Sequence, residues 1–92
     1  MIRSFADEDT KRVFERRHGR RFAAFERVAL CKLRQIHSVS RVEELFEPPG
    51  NRLEKLKGDR EGVWSLRVND QWRICLEWRD GDAYEVQIVD YH

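Results

Sequence analysis

The sequence predicts an α+β fold in which an N-terminal strand and a two-helix hairpin pack on one face of a mainly antiparallel β-sheet. Apolar residues recur at helical spacing in the first half of the chain, whereas from residue 53 onward they alternate with a period of two. Pro48-Pro49-Gly50 separates the two patterns and is the strongest break in the chain. Neither half is long enough to bury a core alone, so we expect one domain over residues 1–92.

The start of the chain predicts a short strand and a first helix. Residues 2–5 are a candidate strand, and Asp7 has the side chain of a helix N-cap. Two acids follow it, which favours a helix N-terminus because they lie at the positive end of the helix dipole. We expect the helix to run to about His18 and to end at Gly19, since glycine readily takes the left-handed conformation that follows a helix.

A second helix has the cleanest periodicity. Its predicted apolar stripe consists of Phe25, Val28, Ala29, Leu33 and Ile36. Two antiparallel helices joined by a short loop are the expected result. Ser40-Arg41-Val42-Glu43 matches a capping box and predicts one more short helix, through Phe46.

The second half predicts four short strands, at 53–57, 63–68, 72–78 and from 84 onward. Asp80-Gly81 is a strong signal for a two-residue hairpin between the last two strands. In the last strand, strict alternation places Tyr84, Val86 and Ile88 on one face. The sheet is therefore expected to have one apolar face under the helices and one open face.

The open face of the predicted sheet is a candidate for nucleic-acid binding. Arg67, Arg73, Gln87 and Tyr91 are expected to point to it. Such a face suits RNA, which proteins recognise by stacking on bases and by contacts with phosphates and 2′-hydroxyls. The alternative is the ordinary polar outer side of a half-buried sheet.

Composition argues against disorder and against a membrane protein. Of the 92 residues, 40% are hydrophobic and 38% are charged, which is typical of a folded protein with a charged surface. No apolar run approaches the roughly 20 residues that cross a bilayer, and the first residues lack the apolar core of a signal peptide, so we expect a cytoplasmic protein. Cys31 and Cys75 match neither a zinc motif nor a disulfide framework, and both are expected to be reduced and packed.

Charge is distributed unevenly, although the net charge is only +1. Residues 11–34 contain nine lysines and arginines against two glutamates, whereas residues 69–92 contain two arginines against six acids. The basic segment favours a polyanion or an acidic protein as a partner on the helical side. The alternative is two solvated helices that happen to be basic.

Asp90-Tyr91-His92 places an acid, a phenol and an imidazole at the tip of the last predicted strand. These groups transfer protons and hold charge, so the segment is a candidate for acid–base chemistry. The alternative is the polar end of an edge strand. His18 and His37 lie near predicted helix C-termini, where a histidine more often caps carbonyl groups.

Five segments together carry a resemblance to a known family. They are Leu56-Lys57-Gly58-Asp59-Arg60-Glu61-Gly62, Trp64-Ser65, Asn69-Asp70-Gln71-Trp72-Arg73-Ile74, Asp80-Gly81-Asp82-Ala83-Tyr84 and Asp90-Tyr91-His92. The combination resembles the HigB-type toxins of the RelE/ParE superfamily, which belong to bacterial type II toxin–antitoxin systems. The resemblance extends over the full length, including the start of the chain.

The resemblance implies a RelE-like fold with a curved sheet and a toxin that inhibits translation. The implied activity is endonucleolytic cleavage of messenger RNA in the ribosomal A site, with no metal and no other cofactor. The implied partner is a helix-turn-helix antitoxin (HigA-like) that neutralises the toxin and represses the shared operon, so that operator DNA is contacted only through the antitoxin.

The resemblance also implies the site residues. The catalytic positions are Glu54, Lys57, Arg73, Asp90, Tyr91 and His92, and the residues expected to contact RNA beside them are Arg52, Lys55, Arg67 and Gln87. Position 54 departs from better-known relatives, which carry a histidine there. Lys57 and Arg73 are expected to stabilise phosphate charge. Glu54 or Asp90 is favoured as the base or its orienter and His92 as the acid, while Tyr91 either donates a proton or stacks on a base.

Two other interpretations remain open, both without RNA cleavage. Toxins of the ParE branch share the fold but are associated with blocking DNA gyrase, and they lack the ending Asp90-Tyr91-His92. The second alternative is a degenerate toxin that acts only as a co-repressor together with its antitoxin, which the glutamate at position 54 makes harder to dismiss.

Overall fold

The computed structural model describes residues 1–17, 21–56 and 62–90. Its helices are α1 (Glu8–Phe14) and α2 (Glu26–Ser38), with 3₁₀ turns at Ala23–Phe25, Val42–Phe46 and Pro49–Asn51, and its strands are β1 (Glu54–Lys55), β2 (Val63–Arg67), β3 (Trp72–Arg79) and β4 (Asp82–Asp90). The strands form a sheet in the order β1-β2-β3-β4 with antiparallel neighbours, which confirms the predicted α+β class. Within the described ranges, no helix is long and apolar enough to cross a membrane.

The N-terminal segment lies along the free edge of β4. Ile2 pairs with Ala83 and Phe5 pairs with Val86, both in the parallel direction. The Arg3 amide donates to the Ala83 carbonyl at 2.7 Å, which fastens the segment to the sheet. The predicted first strand is therefore present as two isolated bridges, and the sheet is mainly antiparallel, as expected.

The first helix begins where it was predicted and ends earlier. The Asp7 carboxylate accepts the backbone N–H of Thr10 at 2.7 Å and caps α1. The predicted end at His18 and Gly19 is wrong for the helix itself, which stops at Phe14, and those two residues lie outside the described ranges. The helix ends because Arg16 takes a left-handed φ of 60°, the terminating role that the prediction gave to glycine.

The second helix buries most of its predicted stripe. Ala29, Leu33 and Ile36 are fully buried. Val28 was predicted on the same face, but it is 44% exposed, because it lies about 100° around the helix from Ala29. Phe25 belongs to the preceding 3₁₀ turn rather than to α2, and its ring packs against Trp72 with centroids 5.3 Å apart.

The segment after α2 forms the predicted short helix through Phe46, and this helix is of the 3₁₀ type. The residue that caps it is Glu44, not Glu43, because the Glu44 carboxylate accepts the backbone N–H groups of Ser40 at 2.8 Å and Arg41 at 3.0 Å. The helical N-cap is accordingly Arg41 and not Ser40. The capping chemistry was predicted correctly, but its register was wrong by one residue.

One face of the sheet forms part of the hydrophobic core. Leu66, Ile74 and Ile88 are directly opposite one another on β2, β3 and β4, and each is at most 2% exposed. They belong to the same buried cluster as Leu33 and Ile36 of α2. The predicted layer of helices on an apolar sheet face is therefore confirmed.

A β-bulge in β4 changes the predicted faces of that strand. The hairpin at Asp80-Gly81 has positive φ at both residues, as a two-residue turn requires. Beyond it, Glu77 pairs with Tyr84 while Cys75 pairs with Gln87, so one extra residue is inserted in β4. Tyr84 therefore lies on the face opposite Val86, contrary to the prediction.

The bulge is stabilised by the N-terminal segment. Glu85 has a left-handed φ of 51°, and its backbone N–H donates to the Ser4 hydroxyl at 2.9 Å. Because a contact 81 positions away in the sequence stabilises the bulge, the alternation of β4 alone did not indicate it.

Cys31 and Cys75 are not joined by a disulfide, as predicted. Cys75 is buried on β3, but Cys31 is exposed on α2, so the expectation that both are packed is wrong for Cys31. The exposed position follows from the helical periodicity, because Cys31 falls outside the stripe formed by Ala29, Leu33 and Ile36.

Candidate active site

The strand pairing assembles two rows of side chains on the sheet face that points away from the helices, here called the outer face. Directly opposite residues in an antiparallel pair project to the same side. The first row consists of Glu54, Ser65, Cys75 and Gln87, and the second row consists of Arg67, Arg73 and Val89. Four of the predicted site residues therefore share one surface, with one from each strand: Glu54, Arg67, Arg73 and Gln87.

Arg73 is the most constrained charged side chain on the outer face. It is only 8% exposed, so the prediction of its face was correct but the expectation of an open, solvated position was wrong. Its Nε donates to the Ser65 hydroxyl at 2.8 Å, and its Nη2 donates to the carbonyls of Arg52 at 2.6 Å and Ser65 at 3.2 Å. Because a guanidinium is planar, bonds at two of its nitrogens fix its orientation.

Glu54 lies next to this guanidinium. Its Oε2 is 3.9 Å from Nη2 of Arg73, and its side chain is 56% exposed. An ion pair at that distance and exposure contributes little to stability, roughly 0–1 kcal/mol. The pair therefore combines a fixed, buried cation with an accessible carboxylate, which is a more useful arrangement for chemistry than for holding the fold together.

The backbone that carries the Arg52 carbonyl is fixed by Asn51. This amide is fully buried, and its Nδ2 lies 3.1 Å from the carbonyl oxygens of both Leu45 and Glu47. Two side chains of α2 also hydrogen-bond to it. Arg52 follows with a left-handed φ of 44°, so the chain turns sharply and presents its carbonyl to Arg73.

Asp90 lies near the site but not on the outer face. It is opposite Trp72, so alternation turns its side chain to the helix side of the sheet, away from Arg73. Gln71 Nε2 donates to its carboxylate at 3.1 Å. The turn that holds Gln71 is closed by the Asn69 carboxamide, which accepts the backbone N–H of Gln71 at 2.9 Å and of Trp72 at 2.8 Å. The strand register therefore places Asp90 on the other side of the sheet from Arg73, and its catalytic role stays a prediction.

Two of the predicted RNA contacts lie where they were expected. Gln87 is on the outer face, half-buried, directly opposite Cys75. Arg67 is directly opposite Arg73 and is also half-buried, and its guanidinium contacts the Asp70 carboxylate in the following turn. Their role in binding RNA stays a prediction.

Lys55 does not lie on the outer face. It is opposite Trp64, and its Nζ lies 5.8 Å from the centroid of the indole ring. Its neighbour Glu54 takes the outer position because successive residues of a strand alternate. Arg52 contacts the site through its backbone carbonyl, which accepts a hydrogen bond from Arg73.

Lys57, Tyr91 and His92 fall outside the described ranges. Their convergence with Arg73 upon one phosphate group stays a prediction.

Ser65 and Gln71 are the site residues that sequence reasoning did not single out. The sequence did contain a signal for Ser65, which is a polar residue between Trp64 and Leu66 on a predicted strand. A polar side chain that is buried there needs a hydrogen-bond partner. Gln71 directly follows Asn69-Asp70, and this pair predicts a turn but indicates no role for the residue after it.

A basic surface lies in the helical layer, apart from the outer face. Arg16, Arg27 and Arg34 line a groove of about 520 Å³ whose apolar wall includes Leu30. Arg17, in contrast, is paired with Glu8 at 2.7 Å. Within the described part of the chain, the three arginines of the groove form no ion pair, so their charge is available to a partner.

Comparison with known proteins identifies the family. A family described as "RelE-like toxin of type II toxin-antitoxin system HigB" matches residues 3–92. The chain belongs to this HigB-like toxin family. Endoribonuclease HigB of Proteus vulgaris is 36% identical over 94 aligned positions, covering 100% of both chains. Toxin HigB-1 of Vibrio cholerae serotype O1 is 34% identical over 85 positions, covering 90% of each.

Solved structures with the same fold support the HigB-like assignment at the level of architecture. A heterotetrameric YoeB–YefM toxin–antitoxin complex from Staphylococcus aureus contains a chain that matches with a TM-score of 0.59 and 18% identity, covering 100% of this chain and 98% of that one. A second YoeB–YefM complex from the same organism matches with a TM-score of 0.55 and 14% identity, over the same shares of the two chains. The predicted RelE-like fold and the predicted family are both confirmed.

Proposed function

We propose that this HigB-like toxin is an endoribonuclease that cleaves messenger RNA in the ribosomal A site and thereby inhibits translation. The observation that carries the proposal is the fixed guanidinium of Arg73 beside the accessible carboxylate of Glu54 on the outer face. Membership in a toxin family, and a relative of 36% identity that is named an endoribonuclease, support the same activity.

RNA cleavage by internal attack requires three functions from the protein. The 2′-hydroxyl must lose its proton, the negative charge on the phosphate must be stabilised, and the departing 5′-oxygen must gain a proton. Attack of the 2′-oxygen on phosphorus then breaks the bond to the 5′-oxygen and leaves a cyclic phosphate and a 5′-hydroxyl. Each function can be supplied by side chains alone.

Arg73 is the proposed charge-stabilising group, with Lys57 as its predicted partner. A guanidinium stabilises a phosphate best when its orientation is set before the substrate arrives, because no reorganisation is then needed. The hydrogen bonds to Ser65 and Arg52 provide that orientation. Removing one such donor typically costs about 3–4 kcal/mol in the transition state.

Glu54 is the better-placed of the two candidate bases. Its carboxylate is exposed on the outer face beside Arg73, whereas Asp90 is turned to the helix side and bound to Gln71. We propose Glu54 as the general base and His92 as the general acid. Tyr91 is proposed either as an alternative proton donor or as a platform on which a base stacks.

The proposed partners are the ribosome with its message and a helix-turn-helix antitoxin. The name of the family places its members in toxin–antitoxin systems, which supports an antitoxin as partner. Arg16, Arg27 and Arg34 line the groove in the helical layer and form no ion pair with the other described residues. Their charge supports an acidic protein surface or a polyanion as the partner that binds there. We propose that both interactions take place in the cytoplasm.

Brief induction in cells, followed by primer extension on an abundant message, tests the function. We expect new 5′ ends within A-site codons for the wild-type protein and far fewer for Arg73→Lys at matched abundance. Intact messages combined with arrested replication would favour a gyrase inhibitor instead. Intact messages, normal replication and retained operon repression would favour a co-repressor.

A further inference from the structure

Ser65 is a buried hydroxyl at the centre of the outer face that takes no direct part in the proposed reaction. It is fully buried in the middle of β2, directly opposite Glu54 on one side and Cys75 on the other. Its hydroxyl accepts Nε of Arg73 at 2.8 Å, and its carbonyl accepts Nη2 of the same guanidinium at 3.2 Å. Ser65 thus lies between the proposed base and the proposed cation.

The Ser65 hydroxyl binds a different nitrogen of the guanidinium from the one that the backbone carbonyls bind. The carbonyls of Ser65 and Arg52 both act on Nη2, so they hold one corner of the guanidinium. The bond at Nε holds a second nitrogen, and because guanidinium N–H groups donate in the plane of the group, bonds at two nitrogens set how it is turned. Without the hydroxyl, the Nε–H of Arg73 would be buried without this acceptor, which favours rotation of the group towards another one.

We propose that Ser65 is a positioning residue, whose hydroxyl orients the Arg73 guanidinium for charge stabilisation at the scissile phosphate. The inference rests on the proposed endoribonuclease function and adds a residue to its machinery. Ser65 itself does not touch the substrate. Its effect passes through Arg73, and a displacement of about 1 Å at such a group is enough to cost roughly 100-fold in rate.

Ser65→Thr and Ser65→Val form the matched pair that tests this role. Both add a similar volume at the buried site and suit a β-strand, but only threonine keeps the hydroxyl. In single-turnover cleavage of a message on purified ribosomes, we expect kcat to fall about 10- to 100-fold for Ser65→Val, with KM little changed. Ser65→Thr is expected to retain most of the activity.

Thr10→Val provides the control for a general loss of stability. Thr10 is also a fully buried hydroxyl that accepts a hydrogen bond, from the Ile88 backbone N–H at 3.0 Å, but it lies on the helix side of the sheet. We expect Thr10→Val to lower the melting temperature and to leave kcat unchanged at temperatures where the variant is folded. An equal loss of kcat in Thr10→Val and Ser65→Val would overturn the positioning role.

Two further measurements separate this inference from the proposed function. In an Arg73→Lys background, which has no guanidinium Nε–H, Ser65→Val is expected to cause no additional loss of kcat. By nuclear magnetic resonance, the Nε–H of Arg73 should be protected from exchange in the wild type and Ser65→Thr, and exposed in Ser65→Val. Normal cleavage by Ser65→Val would overturn the positioning role of Ser65 and leave the proposed function standing. The same conclusion would follow if Ser65→Val lowered kcat as much in the Arg73→Lys background as in the wild type. Absence of cleavage by the wild type would overturn the proposed function and this role with it.

Discussion

Replacing Glu54 by glutamine tests whether the accessible carboxylate beside Arg73 takes part in RNA cleavage. The change keeps the shape of the side chain but removes a base. A positioned general base contributes about 10²- to 10⁴-fold, so we expect a fall in kcat of that size, equivalent to roughly 3–5 kcal/mol of barrier. Stability should change by less than about 1 kcal/mol, because the Glu54–Arg73 pair is 3.9 Å apart and Glu54 is 56% exposed.

The assay is single-turnover cleavage of a ribosome-bound message, with thermal unfolding measured on the same preparations. Glu77→Gln is the matched control, since Glu77 is another carboxylate on the outer-face side of β3, four residues from Arg73 and thus about 13 Å along the strand. Wild-type cleavage by Glu54→Gln would refute the assignment of the base. Equal losses in both variants would show that only the overall charge of the face matters.

Three further predictions concern residues 91–92, the hydrophobic core, and the contacts of Asp82 with Arg3 and the N-terminal amino group. Deleting residues 91–92 should abolish growth arrest while circular dichroism still shows a folded protein, and arrest at matched expression would contradict the proposed site. Leu33→Ala should lower the free energy of unfolding by about 2–5 kcal/mol in denaturant titrations, because Leu33 is fully buried in the core cluster. The hydrogen bond from Arg3, 3.1 Å long, holds the pKa of Asp82 below its usual range, with the nearby Met1 α-amino group acting in the same direction. A depressed folded-state pKa contributes stability above the unfolded pKa that is lost as the pH falls through the folded one. Asp82→Asn should therefore lower the melting temperature at neutral pH, and this effect should shrink as the pH falls through the folded-state pKa of Asp82.

Features that depend on neighbouring residues in the sequence were predicted well. The hairpin at Asp80-Gly81 is one example, because positive φ at both central residues is a local requirement that these two residue types meet. The buried stripe of α2 is another, since helical spacing alone brings Ala29, Leu33 and Ile36 onto one face. Both results follow from short-range geometry.

Features that depend on distant contacts were missed. The bulge that moves Tyr84 to the outer face needs the Ser4 hydroxyl, 81 positions from Glu85. The burial of Arg73 needs the Arg52 carbonyl, 21 positions away in a segment that periodicity treats as a simple connection. A pattern of alternating residues indicates the face of a side chain but not what covers it.

Because Arg73 is buried, the orientation of its guanidinium and the stability of the sheet depend on the same hydrogen bonds. A charge that is 8% exposed is tolerated only when hydrogen bonds replace its lost water. Its acceptors include a hydroxyl and a carbonyl of β2 and a carbonyl next to β1, and these three converge only when both strands are paired. The bonds that make the buried charge tolerable are also the bonds that set its orientation. Folding therefore sets the orientation of the guanidinium before any RNA is bound.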